Sequence, residues 1–383
     1  MQLLTRSSPW RQLFPGSNAV AGVSTPAAPQ ALDLLQQLLN QLPADLQSNQ
    51  VKSWQLDLVK LLKRFDLPAW RISQVISDHN RWLYHRALEE SLTQMQSHGW
   101  GEPPVTFSVV ILGSGARSES LLRPDQDNAL LLDNYPVARH QEIDTWFQHL
   151  GELFTTKLAD VGIPLCKGHV MARWPLWRKP LQEWQEQLTL WMSGRLVKHV
   201  QLANILFDFS TVYGQSQLEK RLRQHIEQRL PQAGGFLHEM SALLDEIPVG
   251  LDAWDRLVSP AQEAPHSFAF HLKRQALLPL QSALRLACLL KGELVAGSSQ
   301  DRLTSLVAKN CLTPQQAKDL SEALQNLQAL LLQQQLSDLE AGRQPDAWLD
   351  RRQLSERSLQ LLKLDLKLIK GFVQVTQKNL GHF

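Results

Sequence analysis

Residues 105–132 break the texture of this chain. On either side, apolar residues recur at helical spacing. Here Val105-Thr-Phe-Ser-Val-Val-Ile-Leu112 gathers β-branched and aromatic residues into one run, which reads as a strand. Gly99, Gly101, Pro103 and Pro104 punctuate it in front, and Gly113-Ser114-Gly115 turns the chain behind it. A second apolar run spans Asn128–Asp133. Gln141–Val161 then sets Ile143, Trp146, Phe147, Leu150, Leu153, Phe154 and Leu158 at helical spacing. Ile163–Cys166 with Val170–Ala172 suggests a third strand, so residues 105–172 are expected to form a small α/β unit.

The flanks read as helix. Between Ala31 and His98, leucines from Leu32 to Leu42 recur at helical spacing, as do Trp54 to Leu62 and Ile72 to Leu92, with a break at Asp66-Leu67-Pro68. From Leu181 onward helix is expected almost throughout, with a connector over 234–265 and Leu277, Leu284, Leu286 and Leu289 buried. The expected class is α+β, a small mixed-sheet domain flanked by helices. It divides into a flexible tail at 1–30, an N-terminal helical region at 31–98, a mixed-sheet domain at 99–233 and a C-terminal helical bundle at 266–383.

Composition removes several classes. A chain of 383 residues exceeds what one core usually serves. Its 39 basic and 37 acidic residues leave a net charge of +2, without the basic excess of a nucleic-acid coat. Cys166, Cys288 and Cys311 are odd in number and unpaired in spacing, which argues against a disulfide framework or a cysteine zinc site and for a reducing cytoplasm. The most apolar stretch, Leu277–Ala296, holds Gln281, Arg285, Lys291 and Glu293, so no membrane span is expected. The segment with Arg6 and Arg11 makes a poor signal peptide.

The chemistry concentrates in Val110–Leu132. Small residues at Gly113-Ser114-Gly115 let backbone amides approach an anion, and a helix starting near Ala116 would add free N–H groups. Arg117 offers a donor fork for phosphate oxygens or for a structural carboxylate. Asp125 and Asp127 lie two apart, so on an extended segment they share a face at roughly 7 Å between Cα atoms. Two carboxylates beside a phosphate turn suit Mg²⁺, which takes one or two carboxylates plus substrate phosphates. Alone, each half is a common turn or a solvated loop. In order, beside strand-like runs, they form a specific signal. No Gly-Lys-[Ser/Thr] follows the glycines and no Gly-x-Gly-x-x-Gly is present, so neither a P-loop nor a dinucleotide fingerprint fits.

Gly113-Ser114 followed by Asp125-x-Asp127 resembles the signature of polymerase-β-like nucleotidyltransferases. The fuller strings, Gly-Ser-x-x-Arg-x-Glu and Asp-Gln-Asp-Asn-Ala-Leu, resemble one branch more closely. That branch occurs in bacterial signal-transduction proteins, often fused to CBS or cyclic-nucleotide-binding domains, and is related to the PII uridylyltransferase. Gly162–Ala172, Trp177 with Trp184 and Trp191, Phe207-Asp208-Phe209 with Gly214, His271-Leu-Lys273, Arg285-Leu-Ala, Asp301-Arg302-Leu303 and Asp319-Leu320 extend the likeness over roughly residues 70–375. Ala116 stands where the branch favours glycine, and Ser210 where it often has arginine.

The resemblance implies transfer of a nucleoside monophosphate from a nucleoside triphosphate, with Mg²⁺ on Asp125 and Asp127 as catalytic carboxylates and the nucleotide on Gly113, Ser114 and Arg117. The acceptor would be a small molecule or a regulatory protein. It also implies a third carboxylate on a later strand, yet Leu165–Ala172 offers only Cys166, Lys167 and His169. Asp208 is the remaining candidate, in what reads as helix. A nucleotide-binding sensor with weak catalysis is the alternative reading.

Overall fold

β1 (Phe107–Leu112) is Phe-Ser-Val-Val-Ile-Leu, and all its residues are buried. A strand with one wet face would alternate, so the unbroken apolar run marks a strand covered on both faces. β2 (Asn128–Leu132) is also buried throughout and pairs antiparallel with it, setting Phe107 opposite Leu132 and Val109 opposite Leu130. β3 (Arg178–Pro180) lies parallel to β2, and β4 (Phe209–Gly214) completes a four-stranded sheet of order β3-β2-β1-β4. The computed structural model describes residues 37–38, 48–64, 67–260, 263–295 and 297–378. The expected tail at 1–30 lies outside the described residues.

Helices α1 (Ser48–Arg64) and α2 (Ala69–Ser97) precede the sheet, a single helical turn α3 (Gly113–Ala116) follows β1, and α4 (His140–Asp160) follows β2. Pro68, extended with φ −64° and ψ 147°, sets the start of α2, where proline's fixed φ leads into a first turn. Leu83 and Leu88 from α2, Val109 and Leu130 from the sheet, and Phe147 and Phe154 from α4 meet in one core. The N-terminal helices are therefore the cover of the sheet. Gly214 closes β4 with φ +85°, and a Cβ there would stand 2.2 Å from the Phe107 carbonyl oxygen, so only glycine fits.

The third strand is not where the apolar pattern placed it. Residues 165–172 form turns, with a single bridge from Leu165 to Gln126. The sheet position goes to Arg178–Pro180, a segment with no apolar signature. Its anchor is the buried Arg178, whose guanidinium donates to both Asp144 carboxylate oxygens and to the carbonyls of Ala172 and Arg173.

The described residues divide into two compact units, one running to Pro180 with Thr211–Ser216, the other made of Leu181–Ser210 and Gln217 onward. That division falls earlier than the 233/266 boundary read from the sequence. In the second unit, α5 (Leu181–Ser193), α6 (Val197–Leu206), α7 (Ser216–Arg229) and α8 (Gly234–Glu246) lead to α9 (Leu278–Leu289). Gly234–Glu246, expected as connector, is thus a helix packed on α6 and α9. α9 is buried almost all round and touches α8, α10 (Ser299–Ala308) and α12 (Glu356–Lys378), with α11 (Pro314–Glu340) lying along α12. Leu277, Leu284, Leu286 and Leu289 are all buried. Capping boxes at Ser298/Asp301 and Thr313/Gln316 open α10 and α11. The bundle carries one addition that periodicity misses, a short antiparallel pair of β5 (Ala269–His271) and β6 (Trp348–Asp350). Trp177, Trp184 and Trp191 are buried, whereas Trp174 is 43% exposed. No described helix is long and apolar enough to cross a membrane.

Candidate active site

The turn after β1 uses its glycines for two tasks. Gly113 has φ +58°, the left-handed region that side chains disfavour. A Cβ on Gly115 would stand 2.4 Å from Ile111 Cδ1, so its absence lets α3 lie against its own strand. The helix expected to start near Ala116 is instead this one turn, which ends there. What it offers is a short row of backbone amides, with little macrodipole behind them. α2 holds the loop from one side: Arg81 donates to the carbonyls of Gly115 and Thr211, and Ser77 Oγ accepts from the Ser120 amide at 3.0 Å.

The aspartates stand on a segment of strict alternation. Asp125 is exposed, Gln126 is fully buried, Asp127 is half-buried and Asn128 is fully buried. The inward residues do the anchoring. Gln126 Nε2 donates to the carbonyls of Thr155 at 3.0 Å and Ile163 at 2.7 Å. Asn128 Nδ2 donates to the Tyr84 hydroxyl at 3.3 Å, and Asn128 Oδ1 accepts from the Ala172 amide at 2.9 Å. With both even positions tied inward, the odd positions present their carboxylates outward together. The Leu112 amide donates to the Asp127 carbonyl at 2.9 Å, which joins this segment to the end of β1.

The structure brings the turn and the carboxylate together. A Cβ on Gly113 would lie 3.6 Å from Asp127 Oδ2, and Ser114 follows in the same turn, partly exposed. Arg117 is buried, and its Nε donates to Glu119 Oε2 at 2.8 Å. Of the two partners foreseen for it, the carboxylate within its own loop is present. That pair orders the residues between the turn and the aspartates.

Asp127 also sets the electrostatics beneath it. The Cys166 thiol is pushed up to about 11, first by burial and then by the charge and hydrogen bond of Asp127, so it remains a thiol at neutral pH. The Tyr84 phenol is pushed up by burial, with Asp127, Cys166 and Asp125 adding to it. Lys167 and His169 are exposed on the adjoining turn, where His169 meets the edge of Trp174 at 5.1 Å between ring centroids. Among the described residues, no group of three or more His, Cys, Asp or Glu is placed to hold a metal ion. Asp125 and Asp127 are the two carboxylates of this segment.

Asp208 lies in the short turn between α6 and β4, not inside a helix. It is buried, and its two oxygens accept from the guanidinium groups of Arg285 and Arg302. Arg285 also donates to Asn204 Oδ1. The carboxylate is committed to two arginines of its own unit.

Two family models match this chain. Residues 55–195 match the family described as "Putative nucleotidyltransferase DUF294", and residues 234–380 match its companion, described as "Putative nucleotidyltransferase substrate binding domain". Residues 55–195 and 234–380 thus carry the two domains that these models describe. The first match contains the Gly113 turn and both aspartates; the second begins at α8 and runs through α12. No curated protein matches the chain.

At this site the residues that sequence reasoning missed are Gln126, Asn128 and Tyr84. The first two were in view, since the run Asp-Gln-Asp-Asn places an amide after each carboxylate. Alternating amide and acid is the pattern of a strand whose buried face carries hydrogen bonds. Tyr84 had no such signal, because its role depends on where α2 crosses β2.

Proposed function

We propose that the chain transfers a nucleoside monophosphate from a nucleoside triphosphate to an acceptor. The observation that carries this reading is the approach of the Gly113 turn to Asp127, with Asp125 on the same outward face. In this account the Gly113-Ser114 amides receive phosphate oxygens, and Asp125 and Asp127 receive Mg²⁺. Arg117 supports the turn through Glu119. When bound, the ion supplies charge neutralisation for the triphosphate and for the departing pyrophosphate. An acceptor oxygen attacks the α-phosphorus, the bond to the bridging oxygen breaks, pyrophosphate leaves, and the acceptor proton passes to solvent. The family description of the C-terminal match supports a substrate-binding role for α8–α12. A regulatory protein is one acceptor of this kind, in keeping with a role in signal transduction.

A second reading has an observation behind it. Among the described residues no third carboxylate joins the pair as a metal-holding group, and Asp208 is held by arginines. General-base assistance is worth roughly 10²–10⁴-fold in rate. Without it the protein acts as a nucleotide sensor that turns over slowly until a partner completes the site. Incubation with each α-labelled triphosphate, Mg²⁺ and cell lysate separates the two. Label moving to a discrete acceptor, and lost on Asp127→Asn, supports transfer. Tight nucleotide binding with no label transferred supports the sensor, and no nucleotide binding overturns both.

A further inference from the structure

In the second unit, the end of α9, the start of α8 and the turn between α5 and α6 enclose a cavity with a volume of about 840 Å³. That lies within the roughly 300–1,000 Å³ of small-molecule sites. No residue of the 113–127 site enters it. Its floor is aliphatic, with Leu237, Leu289 and Leu290 buried beneath the opening. Its rim carries Arg195, His238 and Lys291, all exposed. Of the described residues that line it, none is acidic.

Local backbone features place the cations. A Cβ on Gly235 would stand 3.0 Å from Arg195 Nε and 3.5 Å from Arg195 Cγ, so glycine at this position gives the arginine room to lie along the first turn of α8. Gly292, with φ +74°, turns the chain sharply after α9 and leaves Lys291 at the rim. The arrangement selects on two grounds. An aliphatic floor rewards an apolar body by roughly 25 cal/mol per Å² removed from water. A rim of one sign rewards an anionic head, with arginine as a planar fork and lysine as a point charge. A cationic head would face the like charges of Arg195 and Lys291.

We propose that this cavity binds a small anionic molecule with an aliphatic body, a medium-chain carboxylate or phosphate monoester. No residue of the 113–127 site lines the cavity, so the proposal stands whether or not the nucleotide-transfer reading holds.

The test is calorimetry on the full chain with octanoate and octyl phosphate, each below its micelle concentration. Octylamine serves as the charge-reversed control and inorganic phosphate as the head group alone. Saturable binding of at least one anionic amphiphile at one per chain is expected, with both controls weaker by about tenfold or more. Whichever anion binds more tightly names the head group. Arg195→Glu combined with Lys291→Glu should weaken that binding by about tenfold or more, because a repulsive rim replaces an attractive one. Both side chains are exposed, so the fold should survive; Arg195→Gln with Lys291→Gln is the milder pair, expected to act in the same direction. Raising the salt concentration should weaken binding to the unmodified protein as well. Octylamine binding as tightly as the anions, affinity unchanged in both variant pairs, or no saturable binding of either anion would overturn the proposal.

Discussion

Gln126 Nε2 donates to the Ile163 carbonyl at 2.7 Å from a position between two outward-facing aspartates. A wholly buried amide thus holds the segment that presents the candidate metal ligands. Replacing it tests how far the site depends on what lies beneath it. Gln126→Leu keeps the size but leaves the carbonyls of Thr155 and Ile163 without this donor. A loss of about 1–3 kcal/mol is expected from urea unfolding, the usual cost of stranded buried groups. Nucleotide affinity should fall with it, because Asp125 and Asp127 lose their register.

The buried arginines of the second unit give a larger effect. Asp208 is fully buried as a side chain and holds both Arg285 and Arg302. Asp208→Asn leaves two buried guanidinium groups without their counter-charge. Breaking such a group by removing one partner costs about 3–5 kcal/mol. Thermal unfolding should show a strong drop for this variant, whereas Asp133→Asn, at an only partly buried carboxylate, should stay close to the parent.

His79 makes stability depend on pH. It is buried between Trp54 and Trp82, and burial lowers it from 6.5 to about 3. The folded value lies below the unfolded one, so the unfolded chain takes up the proton first. The contribution is whole above pH 6.5 and is lost as pH falls from there toward 3. One proton corresponds to about 1.4 kcal/mol per pH unit within that window. The stability difference between the parent and His79→Phe, followed from pH 7 to pH 4.5, should shift against the parent as pH falls. A difference that does not change with pH would contradict the buried neutral histidine.

The legibility of these features follows from their physics. The strand Val105–Leu112 and the Gly-Ser turn were readable because β-branched residues and glycines act locally. α2, α4, α11 and α12 were readable because amphipathic periodicity over many residues leaves little choice. β3 was not, since Arg178-Lys179-Pro180 has no strand character and sits in the sheet through an ion pair with Asp144, distant in sequence. β4 did carry a signal in Phe-Ser-Thr-Val-Tyr-Gly, obscured by the helix that ends shortly before it. β5 and β6 are too short for any period to show. At the site, the residue types and their spacing were readable. The meeting of Gly113 with Asp127, and of Asp127 with Cys166, needed the loops to be folded.

In the proposed reaction Asp125 and Asp127 hold the metal of a bound nucleotide. Titration calorimetry with each triphosphate in Mg²⁺, on the parent and on Asp125→Asn and Asp127→Asn, tests it most directly. Each substitution keeps the shape and removes one carboxylate charge. Affinity in Mg²⁺ should fall by about tenfold or more in both variants, with the melting temperature of the ligand-free protein little changed. Triphosphate affinity equal to the parent's in both variants would rule out a metal site on Asp125 and Asp127.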